Sequence, residues 1–537
     1  MPSVNAHQGR IRPSRRLGGR QACETRSCQA QSTSPVAQPQ SSGPLNLTKK
    51  KRDSQVTNAE FPSKTAQSLG KFWLPDADDS PVSGMLSVDG TDVRLEVSPE
   101  ITPMFLIRNT GPGKAAVKLS DQPDDMVVLG SIPMKPRKVT LWDAQTTHQT
   151  QLAGLFFAGK NAGPSRQGLK ATWCVAGQHL PDPDTPLCGV RPDVTNLAEW
   201  ARLPALATTV YPRDPLKLDW HMNVRNKSLD AELANGAGYL TLAPSARHSP
   251  PDLRGLHVTT TSQLEIELFQ GWSLPDIAMR VLRPLADLMT LLSGKPCVIR
   301  SLDVWADTWC SVHGYQIDPA GPETAGELLF TRPHVGLEFL PRWFDLHQRT
   351  TPVPQILAAV IRNEYPTVEA DALSLATAVE ALHRTLDPDA RRFSVEQIDN
   401  SLEAVEASNM PTEVSQSLST ALRQYWHEYS YPQRVKALAE PVAEAVPACI
   451  GRLSRWKEQV VNQRIALAHG LGQNGLSVDQ IRRMHALNQS LHWMLTLRLF
   501  MEAGIDGSIL AKTTEDSERF NDQCHNWRHS WPKVFSA

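Results

Sequence analysis

The apolar residues of this 537-residue chain change their repeat part-way along it, and that change limits the folds open to it. Up to about residue 330 they alternate. Leu86 and Val88, then Val93, Leu95 and Val97, and later Leu264, Ile266 and Leu268 fall two apart, the period of a strand with one buried face. Beyond Pro341-Arg342-Trp343-Phe344 the spacing becomes three and four. Leu375, Val379, Leu382 and Leu386 keep it, as do Ile481, Met484, Leu487, Leu491, Met494, Leu495 and Leu499, as core faces of helices do. One switch from strand period to helix period predicts an α+β multidomain protein: a β-rich, sandwich-like N-terminal domain followed by an all-α bundle.

Turn signals refine the first part. Asp89-Gly90 offers the positive φ of a tight turn, so Gly84 to Val97 reads as a hairpin. Further strands are expected at Met126–Leu129, Lys138–Trp142, Leu152–Phe157, Leu169–Val175 and Cys297–Val304. One helix interrupts them, from Pro275 to Leu292, through Ile277, Val281, Leu285 and Leu288. In the second part, long helices are expected at Ala370–Leu386, Val442–His469 and Val478–Ala503. The organisation that follows is a disordered basic and polar tail over 1–66, a β-rich domain over 67–345, a bundle over 346–512 and a polar C-terminal tail over 513–537. Residues 1–60 hold ten Lys/Arg against three acids, which makes the segment +7 and leaves −8 for the rest of a chain whose total is −1. Lys49-Lys50-Lys51-Arg52 reads as a solvated charge run. An Arg- and Ser-rich start also has transit-peptide composition, and a start codon assigned too far upstream explains it equally well.

Several function classes drop out. The eight cysteines show no two-residue ligand spacing and follow no secretory signal, so they read as reduced thiols, with neither a zinc site nor a disulfide framework. No apolar run of about 18 residues is present, which predicts a cytoplasmic protein with no membrane partner. Without a phosphate-binding glycine loop, a metalloprotease histidine pair or a nucleophile elbow, no cofactor is expected, and NTPase, zinc-protease and α/β-hydrolase readings go.

The informative segment is Val460-Val461-Asn462-Gln463-Arg464-Ile465-Ala466-Leu467-Ala468-His469-Gly470. Ile450, Leu453 and Val460 draw an apolar stripe that Arg464 and Leu467 continue at spacings of four and three. A guanidinium in phase with such a stripe must meet a carboxylate, a phosphate or a partner chain, because burying it unpaired is costly. Gly470 reads as a helix stop, which puts His469 in the last turn or at the cap. On these residues alone, Arg464 pairing across the bundle and His469 capping the helix competes with a catalytic role. Two other Arg/His pairs, Arg342/His347 and Arg519/His525, share the bare pattern. The first sits at the domain junction, where packing is expected, and the second in the polar tail. Glu380 and His383, three apart on one helix, read as an intrahelical pair or as solvated. The alternative is a Glu380 that orients Arg464.

Arg464 through Leu467-Ala468-His469-Gly470 resembles the RNase motif of HEPN domains. The wider chain is similar to the ApeA group through Lys71-Phe72-Trp73-Leu74-Pro75 with the Gly84 hairpin, and Leu129-Gly130-Ser131-Ile132 leading to Val139-Thr140-Leu141. Asn196-Leu197-Ala198-Glu199-Trp200, Leu340-Pro341-Arg342-Trp343-Phe344 and Val379-Glu380-Ala381-Leu382-His383 extend the likeness, which covers about 67–510. The resemblance implies a metal-independent endoribonuclease of anti-phage defence, with Arg464 and His469 catalytic, Glu380 and Asn462 supporting, and RNA as substrate, transfer RNA being one candidate. Ile465 stands where many HEPN RNases carry a polar residue, often Asn, and Asn462 or Gln463 is the available substitute. RNA brings its own 2′-hydroxyl, His469 would move protons, and Arg464 would hold the phosphate, leaving a 2′,3′-cyclic phosphate and a 5′-hydroxyl. Residues five apart lie about 140° apart around an ideal helix, so the two share no face. The resemblance therefore also implies a homodimer through the bundle, with a phage-derived trigger acting on the β-rich domain. A non-catalytic RNA- or nucleotide-binding module and a dimerising interaction protein are the rival readings.

Overall fold

A computed structural model describes residues 66–102, 105–111, 114–119, 125–149, 165–203, 206–210, 218–222, 228–248, 258–363, 367–468 and 476–536. The Leu152–Phe157 strand, Lys49–Arg52, His469 and Gly470 lie outside these residues.

Alternation builds β1 (Ala66–Trp73), β2 (Val82–Asp89) and β3 (Asp92–Ser98), whose inward residues Phe72, Leu86, Val93 and Leu95 are at most 1% exposed. The β2–β3 loop is Gly90-Thr91, one residue later than the Asp-Gly reading, with Asp89 facing Asp92 and only Gly90 in the left-handed region. A glycine first and an ordinary residue second is the pattern of a type II′ hairpin turn. Separate hairpins are β4 (Phe105–Gly111) with β5 (Lys114–Leu119), and β11 (Leu206–Val210) with β12 (Leu218–Met222).

β6 (Met126–Ser131) pairs with β1 and with the long β7 (Lys138–Gln149). β8 (Gln167–Ala171) pairs with both β7 and β3, so β6-β1-β2-β3-β8-β7 closes into a six-stranded ring. The first lobe is thus a small barrel, not a sandwich. Closure removes sheet edges, and Phe72 is the largest side chain in the core it encloses. Gly84 and Gly130 make room for that ring, since a Cβ at Gly130 would lie 2.5 Å from Phe72.

The barrel opens at a corner. β7 bends at Asp143 (φ 52), and β8 continues past Thr172 into β9 (Trp173–Ala176), which pairs with the other half of β7. From β9 the sheet runs on through β17 (Trp309–Gly314), β16 (Ile299–Trp305), β10 (Leu187–Val194), β15 (Val258–Trp272), β14 (Gly238–His248) and β13 (Leu229–Glu232), all antiparallel. The short α1 (Leu197–Ala201) follows β10. Asn196 at its start bonds both backbone groups of Ala325 at 2.7 Å. The expected single helix is present as Leu274–Ile277, a π turn at Ala278–Leu282 and Arg283–Ser293, together α2, whose last stretch from Asp287 to Ser293 is wholly buried.

Helices then take over: α3 (Arg332–Val335), α4 (Phe339–Arg349), α5 (Val353–Arg362), α6 (Val368–Leu386), α7 (Val395–Glu406) and α8 (Thr412–Ala421). They continue as α9 (Tyr431–Ala445), α10 (Pro447–Ile450), α11 (Leu453–Ala468), α12 (Val478–Glu502), α13 (Gly507–Asp516), α14 (Glu518–Ser530) and α15 (Pro532–Phe535). The β-rich then helical order holds, with four corrections. The boundary expected at 345/346 falls inside α4, because Phe339, Trp343 and Leu346 already keep helical spacing. The single helix expected from Val442 is cut into α9, α10 and α11 by Pro447 and by Gly451 at φ 65. The polar tail expected over 513–537 is helical and buries Phe520, Cys524, Trp527, Val534 and Phe535, too sparse among polar residues to stand out as a stripe. Ile481, placed on the core face of α12, is 40% exposed, because the buried face begins only at Ala486.

One apolar core runs from Trp142 of the corner through α2 to Phe535, separate from the core inside the barrel. At the join, Phe330, Phe339, Trp343 and Phe500 interlock, and Trp343 Nε1 donates to Pro284 O at 2.8 Å. Beside them lies an ionic cluster of Asp287, 0% exposed, with His347 at 2.9 Å and Arg362 at 2.6 Å.

Candidate functional site

On α11 the buried face is Trp456 and Val460; one turn later that face reaches the surface, and Arg464 occupies it. Its Nη2 donates to Glu380 Oε1 of α6 at 2.5 Å, and its Cζ lies 4.5 Å from the centre of the Tyr431 ring at the start of α9. Three helices therefore fix one guanidinium. The Arg464 and Glu380 side chains are 37% and 33% exposed, so the ion pair adds at most ~1 kcal/mol to stability. Its effect is positional. An aromatic face below and a carboxylate on one side hold the planar fork while part of it stays open to solvent.

The neighbouring residues divide into inward and outward. Gln463 donates to Asn488 Oδ1 of α12 at 2.6 Å, and Asn488 donates to Val368 O at 2.7 Å, so Gln463 is turned inward. Asn462 is exposed, as is Ile465 at 42%. α11 ends at Ala468, directly before His469. Glu380 pairs across the bundle and not along its own helix. His383, one turn on, is buried against Arg434, whose Nη1 lies 3.4 Å from its Nδ1.

Beneath Arg464 lies a second layer that sequence reasoning missed. Arg434 donates to Tyr429 O and to Glu428 Oε2, and Arg384 also reaches Glu428. Burial, and then the charge of Arg434, hold the His383 imidazole below its ordinary range, so it stays neutral near neutrality. The Tyr431 hydroxyl is buried, has no hydrogen-bond partner among the described residues, and is pushed well up by burial. Ser430 and Gln433 form a capping box that announces α9 in the sequence. Nothing local announces that the next residue underlies an arginine on another helix.

The two other Arg/His pairs are each split between a packed and an exposed member. His347 bonds Asp287 in the junction, while Arg342 is exposed. Arg519 lies on α14, packed against α2, and His525 is exposed. Among the described residues no group of three or more His, Cys, Asp or Glu is placed to hold a metal ion, and no helix is long and apolar enough to cross a membrane.

Residues 67–339 match the family model for ApeA N-terminal domain 1, and residues 373–508 match the Apea-like HEPN model. No curated protein and no solved structure matches the chain. The first match covers the barrel and the open sheet. The second covers α6 to α12, including Glu380, Tyr431 and Arg464. With both halves matched in the order in which they fold, the chain belongs to the ApeA family, an ApeA N-terminal domain joined to an ApeA-like HEPN domain.

Proposed function

We propose that the chain is a metal-independent endoribonuclease effector of anti-phage defence, acting in the cytoplasm as a homodimer through its helical half. The HEPN assignment supports RNase-type or nucleotide-directed chemistry in defence. The observation that carries the finer reading is Arg464. It is held by Glu380 and Tyr431, stays more than a third exposed, and stands five residues before His469 in the sequence.

The reaction needs no external nucleophile. The 2′-oxygen of RNA attacks the adjacent phosphorus while its proton passes to a base. The P–O5′ bond breaks, and the departing oxygen takes a proton, leaving a 2′,3′-cyclic phosphate and a 5′-hydroxyl. His469 moves these protons, and in a dimer each copy contributes one imidazole, so base and acid are both present. Arg464 forks onto the non-bridging oxygens and stabilises the charge that builds there. Glu380 is a positioning residue, and Asn462 takes the supporting place at the exposed rim. Exposed Ile465, Val478 and Ile481 flank the 469–475 connection and support pairing of two copies there. RNA is the substrate, transfer RNA being one candidate. A phage-derived trigger acts on the β-rich domain.

The Arg464–Glu380 pair equally suits a module that holds RNA or a nucleotide without cutting it. Incubating the full chain with total RNA in EDTA separates the two. Cleavage to 2′,3′-cyclic phosphate ends by wild type, lost by roughly 100-fold or more in Arg464→Ala and in His469→Ala, supports the enzyme. Binding without cleavage, in a chain that is also non-toxic on expression with phage present, overturns it.

A further inference from the structure

A cavity of about 210 Å³ lies where α2, α5, α6, α12 and α14 meet, built from residues other than the Arg464 cluster. Its long wall is one face of α12. His485, Asn488, Gln489, His492, Trp493 and Thr496 are spaced three, one, three, one and three, which places them in line along the helix. Leu291 of α2, Val360 and Ile361 of α5 and Leu375 of α6 supply the apolar remainder.

Most polar groups in this lining are already engaged. His492 donates to Leu357 O, Asn488 bonds Gln463 and Val368, and Trp493 donates to Gln523, whose own helix forms the opposite wall. Two are not. Thr496 is 1% exposed, and its Oγ1 has no hydrogen-bond partner among the described residues; the same holds for Nε of Arg519. The Arg519 guanidinium lies 4.7 Å over the Trp493 ring. It donates from Nη2 to Leu292 O at 3.2 Å, beside Gly294, where any Cβ would strike it. That leaves one N–H of a guanidinium, whose charge partner is Glu327, and one hydroxyl without an acceptor in the lining of a largely apolar chamber. A void of this kind left empty would forfeit dispersion contacts on every wall and leave two polar groups unsatisfied. Asp371, the carboxylate in the lining, has His485 as its charge partner on the α6 side.

We propose that this cavity is a binding site for a small organic carboxylate with an apolar, ring-sized body, its carboxylate on Arg519 and Thr496 and its body against Trp493, Leu375, Val360 and Ile361. The site goes beyond the ribonuclease reading and does not depend on it. It joins α2 of the β-rich domain to the bundle, and through Asn488 it touches the residue that precedes Arg464. A ligand there bears on both halves at once.

The test uses the full chain and 1-naphthoate, with the neutral 1-naphthamide as its isostere, read by Trp fluorescence and by calorimetry. Saturable binding of one naphthoate per chain is expected, at least tenfold tighter than the amide. Thr496→Val, which keeps side-chain shape, should weaken binding several-fold, and Ile361→Trp, which fills the chamber, should abolish it. Arg519→Gln should weaken it tenfold or more; should that variant fail to fold for want of its contact with α2, the other two still decide. No saturation at millimolar naphthoate, equal affinity for the amide, or unchanged binding in Thr496→Val and Ile361→Trp overturns the site.

Discussion

Arg464 shows what a single position can disclose from sequence and what it cannot. Its presence in phase with Val460 on an otherwise apolar stripe is legible, because a guanidinium there must answer to something. What it answers to is not. Glu380 lies 84 residues away, and Tyr431 on yet another helix. Only the packed bundle brings the three together. The pair's exposure gives a prediction that separates positioning from stability. Glu380→Ala should lower RNA cleavage by about tenfold or more through kcat, with KM little changed and unfolding free energy shifted by no more than ~1 kcal/mol. Glu380→Asp should restore part of the rate. A loss confined to KM, or no rescue by Asp, would make Glu380 a binding or packing residue instead.

Among elements, α12 and the C-terminal helices mark the limits of periodicity. The stripe of α12 is regular from Met484 to Leu499, yet its first turns project beyond the core and leave Val478 64% and Ile481 40% exposed. A repeat tells which residues share a face, not whether another element covers that face. The reverse error befell α14. Phe520, Cys524 and Trp527 are three or four apart, but Asn, Asp, Gln and His crowd between them, and mean polarity hid the helix. The proposed pairing of two copies is tested at the exposed apolar positions of the first turns of α12. Val478→Asp with Ile481→Asp should leave the melting temperature within a few degrees of wild type and convert the chain to a monomer in sedimentation velocity. A wild type already monomeric at tens of micromolar would remove the dimer from the mechanism.

At the scale of the molecule, the strand-to-helix order was readable from the change of period, whereas barrel closure was not. Closure depends on β8 meeting both β7 and β3, the latter a segment at least 70 residues away in the chain. The junction depends on Asp287, fully buried between His347 and Arg362. Asp287→Ala strands the arginine and the histidine and should cost about 3–5 kcal/mol in chemical denaturation; a change below 1 kcal/mol would mean that the cluster is solvated. Burial also holds His492 in the bundle and His313 in β17 down at about 4, against an ordinary value of 6.5. As pH falls the unfolded chain takes up these protons first. Stability is therefore complete above about pH 6.5 and declines toward pH 4, by on the order of 3 kcal/mol per histidine. Measured melting temperatures across that window should fall less in His492→Gln than in wild type.

The unbroken core from Trp142 to Phe535 has a consequence for how such proteins can be recombined. Where two domains hang on a linker, either can be swapped for a relative's with a cut in the linker. Here a cut near residue 345 would slice through α4 and part both Phe330 and Trp343 from Phe500. A working chimera would have to inherit α2, the Phe330–Phe344 stretch and the C-terminal half of α12 as one block.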